Sequence, residues 1–335
     1  MSDDPCFRLY SGDGTTISHR NLRLPLFEKT ERLTDPRYYL AEQPLRNAVN
    51  VALALGQPLL VTGEPGTGKT QLAASIAYEL DLPPPLAFQT KTTSTATDLF
   101  YRYDNLRHFH DAQFGKDQLD VESYISYEAL GLAILLSLEP RMSSAYLPQS
   151  LRDRGPTRSV VLIDEIDKAP RDLPNDILNE LENMSFTVKE VGRTFAAEPR
   201  YRPIVVLTSN SEKNLPDPFL RRCVFYNISF PDRQRLAVIL ERRLSFAGAF
   251  TPEMVKNAIR HFERIRSLPL KKKPATAECL AWLQILEKME LDVGNLKAGQ
   301  LEMLALSYSI LVKSQEDLVL LQKTFLPSPE TRDER

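Results

Sequence analysis

The run Gly63-Glu64-Pro65-Gly66-Thr67-Gly68-Lys69-Thr70 constrains the fold of this chain more than any other segment. It matches G-x-x-x-x-G-K-[ST] in full. It follows the short apolar run Leu59-Leu60-Val61 and precedes a helical stripe of Leu72, Ala73, Ile76, Ala77 and Leu80. Strand, glycine-rich turn and helix in that order is the setting in which this motif cradles phosphate. Gly66 and Gly68 let backbone N–H groups turn inward around phosphate oxygens. The helix opening near Lys69 adds the positive end of its dipole. Lys69 suits the β- and γ-phosphates and the Thr70 hydroxyl suits Mg2+. The expected phosphate-binding set runs from Gly63 through Thr70 and on to Gln71.

A strand–turn–helix unit needs neighbours, and the chain supplies them. Leu86 to Gln89, Val160 to Ile163, Ile204 to Leu207 and Phe225 to Ile228 read as further strands, and the apolar, β-branched runs Val160 to Ile163 and Ile204 to Leu207 suit a sheet covered on both faces. Leu45, Val49, Ala52 and Leu53 recur at helical spacing before Gly56-Gln57-Pro58, and a second helix is expected near Leu173 to Met184. Alternating strands and helices predict an α/β layered domain with a mainly parallel sheet. After Pro231 the strand signals stop. Arg235–Phe246, Pro252–Ser267, Thr276–Leu291 and Ala298–Thr324 all read as helical, which predicts a second, all-helical unit. The expected organisation is an arm over 1–35, the α/β domain over 36–231 with an insertion near 98–130, the helical unit over 232–324 and a flexible tail over 325–335.

The second chemical signal is Val160-Val161-Leu162-Ile163-Asp164-Glu165, an apolar strand that ends in two acids. Asp164 is expected to bind Mg2+, and Glu165 to orient and deprotonate an attacking water. Asn210, at the end of Ile204-Val205-Val206-Leu207-Thr208-Ser209-Asn210, is placed to sense the water or the γ-phosphate. Arg221-Arg222 reads as a surface basic pair or as an arginine finger donated to another subunit. No N-K-x-D base-reading motif accompanies these segments, so a GTPase is not favoured.

Composition narrows the partners. The 335 residues carry a formal net charge of −2, which gives no global case for nucleic acid. The longest apolar stretch, Ala129 to Leu138, is too short for a bilayer and reads as a buried helix. The N-terminus lacks the pattern of a signal peptide. Three scattered cysteines, Cys6, Cys223 and Cys279, form no disulfide framework. A cytoplasmic protein is expected. His108 and His110 are expected on one face of a strand, and a hairpin that turns at Asp104-Asn105 is expected over Leu99–Phe109. A second turn is expected at Gly192, within Phe186 to Phe195.

Taken together, GEPGTGKT, VVLIDEID, VVLTSN and FLRRC resemble an AAA+ ATPase, and the helices after Pro231 resemble its lid. Within that superfamily, QTKTTSTATDLF, DILNELEN and FTVKEVGRTF resemble the MoxR-like group, over about Pro36 to Met289. The resemblance implies an αβα P-loop sandwich with a helical lid, Mg2+-dependent hydrolysis of ATP, and a ring, most often a hexamer, that remodels a protein client or partner. It implies that Glu165, Asn210, Arg221 and Arg222 are catalytic and that Thr70 and Asp164 hold the metal. It also suggests a von Willebrand factor A-domain partner. A nucleic-acid motor or loader of the same type, and a nucleotide-regulated scaffold with little turnover, are the alternatives. The family's second-sensor arginine has no counterpart, since Ala275 stands near that position. Either Lys273 replaces it or the lysines form a solvated turn. Tyr39 and Leu40 are candidates for the base pocket.

Overall fold

The computed structural model describes residues 31–114, 120–152, 155–211, 215–244, 251–297 and 299–326. Most of the arm and tail expected over 1–35 and 325–335 lies outside these residues. The described chain divides into two compact units. One spans Tyr39–Ser229, and the other joins residues 31–38 to the chain from Phe230 onward. The divisions fall at 38/39 and 229/230, against the expected 35/36 and 231/232. Among the described residues no helix is long and apolar enough to cross a membrane.

The first unit is built on nine strands: β1 (Leu59–Gly63), β2 (Leu86–Gln89), β3 (Tyr101–Tyr103), β4 (Ile125–Tyr127), β5 (Val160–Asp164), β6 (Ser185–Val188), β7 (Arg193–Ala196), β8 (Ile204–Thr208) and β9 (Val224–Ile228). Five of them form one sheet in the order β2-β5-β8-β1-β9, every pair parallel. All residues of β1 and β5 are buried, as the centre of a sheet covered on both faces requires. Successive side chains leave a strand on opposite faces, so the two cores interleave along it. Leu59 and Val61 pack with Leu72, Ala73 and Ile76 of helix Lys69–Glu79, and with Leu45 and Ala52 of helix Gln43–Leu55. Leu60, Val161 and Ile163 pack with helix Ala129–Leu136 on the other side. That helix is the apolar stretch noted above, and seven of its eight residues are buried. This is the αβα sandwich with a helical C-terminal region that the motifs predict.

Two small antiparallel pairs decorate the sandwich. β6 and β7 form the expected hairpin, with Gly192 at φ +66° in its turn. The hairpin expected over Leu99–Phe109 does not form. β3 instead pairs with the distant β4, and Asp104 caps helix Asn105–Gln113 by accepting a hydrogen bond from the Arg107 N–H at 2.9 Å. A short polar residue just before a helix competes well as a cap, which is why an Asp-Asn pair read as a turn. His108 and His110 therefore lie on this helix, where residues two apart do not share a face. His108 Nδ1 meets the Tyr103 hydroxyl at 2.5 Å. The helix expected over Leu173–Met184 is split into Leu173–Asp176 and Leu178–Asn183.

In the second unit the helix expected over Ala298–Thr324 is broken after Leu311. Val312 is extended, and the Ser314 hydroxyl accepts from the Asp317 N–H at 3.2 Å to start Gln315–Phe325. Its core includes Trp282, Tyr308, Phe262 and Leu283, and the His261 ring stacks with those of Trp282 and Tyr308, its Nε2 meeting the Tyr308 hydroxyl at 2.9 Å. Burial, with help from Arg264, pushes the His261 pKa down from 6.5 to about 4. The unfolded chain binds this proton from about pH 6.5, and the folded unit only near pH 4. Stability is therefore lost as pH falls across that window, by about 3 kcal/mol at its lower end. His261→Phe removes the titration. Denaturant unfolding of both proteins should show the stability gap between them shifting in favour of the variant by about that amount from pH 7 to pH 4. A gap independent of pH would remove His261 as the cause.

Candidate active site

The glycine-rich turn leaves β1 at Gly63, which has φ +144°. A Cβ there would lie 2.5 Å from the Ile228 carbonyl oxygen on β9, so glycine alone allows the exit. Gly68, at φ +90°, delivers the chain into helix Lys69–Glu79 and faces the Tyr39 ring, 3.3 Å from where a Cβ would stand. Tyr39, one of the two base-pocket candidates, thus borders the turn. Leu40 is partly buried in the segment that leads to helix Gln43–Leu55. Within the turn the Thr67 hydroxyl donates to the Glu64 carbonyl at 2.8 Å.

Lys69 is buried at the start of its helix. Its Nζ donates to the carbonyls of Gly63 at 2.8 Å and Glu64 at 3.0 Å, and to Asn210 Oδ1 at 3.0 Å. Three donors meet three acceptors. Burial holds its pKa below the usual lysine value, while Asp164, Asp167 and Glu165 pull it back up. The neighbouring acids thus favour the charged form that burial opposes.

Parallel order places the C-terminal ends of β5, β8 and β1 side by side, and the polar residues of the site sit at those ends. Asp164, the buried last residue of β5, accepts from the Thr70 hydroxyl at 3.0 Å and from the Thr208 hydroxyl at 2.5 Å, both on Oδ1. Its Oδ2 accepts from Gln89 Nε2 at 3.0 Å. Glu165 follows in the left-handed region, at φ +56° and ψ +49°. Its N–H donates to the Thr208 hydroxyl at 2.9 Å, and its carboxylate pairs with Lys168. The Asn210 N–H donates to Asp167 Oδ1 at 3.2 Å.

Lys69, Thr70, Asp164, Glu165 and Asn210, widely separated in the sequence, therefore share one end of the sheet. Arg221 and Arg222 do not join them. They follow helix Asp217–Leu220 at the entrance to β9, and Arg222 Nε lies 3.5 Å from Glu182 Oε2 on the surface. Val224 pairs with Leu59, and Ile228 with Gly63. At about 3.3 Å per residue, the four steps from Leu59 to Gly63 put about 13 Å of sheet between that entrance and the glycine-rich turn. Lys273 is exposed in the turn before helix Thr276–Lys288 of the second unit.

Sequence reasoning missed four members of the cluster: Gln89, Asp167, Lys168 and Thr208. Gln89 and Thr208 had one available signal each, a polar residue closing a short strand on the edge where Asp164 closes another.

Residues 58–223 match the family model described as AAA domain (dynein-related subfamily). No curated protein matches this sequence. Among solved structures it is similar to a threonine-to-valine variant of Thermotoga maritima RuvB, at 17% identity over 86% of this chain and 76% of that chain, with a TM-score of 0.41.

Proposed function

We propose that this chain is an AAA+ protein, a Mg2+-dependent ATP hydrolase of the MoxR-like kind, acting as a ring, a hexamer, to remodel a protein client or partner in the cytoplasm. The observation that carries the reading is the meeting of Lys69, Thr70, Asp164, Glu165 and Asn210 at adjacent strand ends. The domain match over residues 58–223 supports it.

The Thr70 hydroxyl and the Asp164 carboxylate lie within 3.0 Å of each other, and both are hard oxygen ligands. One or two such groups, with water and phosphate oxygens completing the shell, suit Mg2+. Thr70 and Asp164 would hold it, and bound there it would neutralise charge on the phosphates. The residues of this chain do the rest. Backbone N–H groups of the turn Gly63–Lys69, Pro65 having none, and the Lys69 ammonium bind the phosphates. Asn210 orients the attacking water, and the Glu165 carboxylate takes its proton as ATP and water become ADP and phosphate. A von Willebrand factor A-domain protein is the partner class we favour, on the resemblance to the MoxR-like group.

Lys69→Ala should weaken ATP binding by about one to two decades, the cost of roughly 1.5–3 kcal/mol for a charge-assisted hydrogen bond. Titration calorimetry with Mg2+ present reads this directly. Wild-type affinity in the variant would overturn the assignment of the phosphate site.

A further inference from the structure

We propose that Thr208 is a positioning residue for both acids at the end of β5, through a hydroxyl that bridges the Asp164 carboxylate and the Glu165 backbone. The inference rests on the hydrolase reading for its kinetic consequence, though not for its geometry. Thr208 is fully buried at the end of β8. The β5–β8 register pairs Ile163 with Leu207, so Asp164 and Thr208 are the next residues along the same two strands.

Polarity at this hydroxyl has one solution. The Glu165 amide can only donate and the Asp164 carboxylate can only accept. The Thr208 oxygen therefore accepts at 2.9 Å on one side and gives its single proton at 2.5 Å on the other. The second bond is charge-assisted and short. Glu165 is not glycine, yet it is held at φ +56°, a conformation that L residues adopt only where the surroundings impose it. Its other ties are local: the Lys168 N–H donates to its carbonyl at 2.9 Å, and Lys168 pairs with its carboxylate. The Thr208 bond comes from a different strand. It relates the turn that carries Glu165 to the sheet, and it pins Asp164 Oδ1 on the same atom that the Thr70 hydroxyl reaches. Valine has the same shape and neither bond. Serine keeps both bonds and loses a methyl group.

Thr208→Val and Thr208→Ser separate a positioning role from a packing role. Residue-resolved hydrogen exchange on the nucleotide-free protein should show the Glu165 amide exchanging at least about tenfold faster in T208V, and at the wild-type rate in T208S. In steady-state assays kcat should fall about ten- to hundredfold in T208V, with KM changed less than about threefold and T208S close to wild type. Unchanged Glu165 exchange in T208V would overturn the proposal. So would a T208S defect as large as that of T208V, or a T208S defect with T208V normal, since methyl packing would then be the determinant. Should T208V not fold, T208S still decides, because a tenfold loss of kcat in the variant that keeps the hydroxyl contradicts the role. Wild type and Glu165→Gln are run alongside. If wild type shows no turnover that Glu165→Gln removes, the hydrolase reading fails, while the exchange data still decide the role of Thr208.

Discussion

Arg222→Ala is expected to leave ATP binding nearly intact and to remove most turnover. The expected loss is about 10³–10⁵-fold, the range of arginine fingers in phosphoryl transfer. Arg221→Ala should be milder, because Arg222 aligns better with the arginine of the AAA+ motif. The geometry sharpens this expectation. Arg222 stands at the entrance of β9, where it pairs with a surface glutamate, Glu182. The register of β9 on β1 puts it a strand's length from the glycine-rich turn of its own chain. A half-exposed arginine so placed has two uses: a weak surface ion pair worth about 0–1 kcal/mol, or a contact with a second copy. Mixing distinguishes them. Lys69→Ala subunits keep the finger and lose the pocket, and Arg222→Ala subunits do the reverse. Together they should recover part of the ATPase activity if the finger acts in trans. Activity should also rise more than linearly with protein concentration near the assembly threshold. No recovery, with full activity at dilutions where the protein is monomeric, would end the ring model.

The second large effect belongs to Glu165. Replacement by glutamine keeps the size of the side chain and one acceptor oxygen but removes the base. Turnover should fall about 10²–10⁴-fold while ATP and Mg2+ still bind. Asp164→Asn should instead weaken the dependence on Mg2+, because Asp164 is the carboxylate bonded to the Thr70 hydroxyl. A phosphate-release assay paired with nucleotide titration separates the two variants. Wild-type turnover in Glu165→Gln would place the base elsewhere. If the protein remodels a client, the same variant should retain that client in an ATP-dependent pulldown.

Legibility was uneven across the molecule, for physical reasons. The glycine-rich turn could be read because its requirements are local: the positive φ angles at Gly63, Gly66 and Gly68 and one lysine at fixed spacing. The central strands could be read because burial on both faces demands unbroken apolar runs. The Asp104 cap was hidden because the same short polar residue serves a turn or a helix start, and the choice depends on where β4 lies. The break at Ser314 carried a local signal, a serine three residues before an aspartate, within the polar run Lys313–Asp317 that interrupts the apolar pattern.

Residue identities and their spacing alone therefore determined that this chain builds a glycine-rich turn between a strand and a helix, alternates strands with helices, and ends in an all-helical part. Each of these follows from interactions between residues close in sequence, or from a burial pattern that the residues themselves carry. Tertiary structure alone decided the strand order β2-β5-β8-β1-β9, and with it the neighbours of Asp164. Gln89 and Thr208 lie 75 and 44 residues from Asp164 and touch it only because their strands flank β5. The parallel pairing of β9 on β1 put Arg222 at the opposite end of the sheet from Lys69. Pairing between distant segments is set by which surfaces bury each other when the chain collapses, and no local run of residues encodes it.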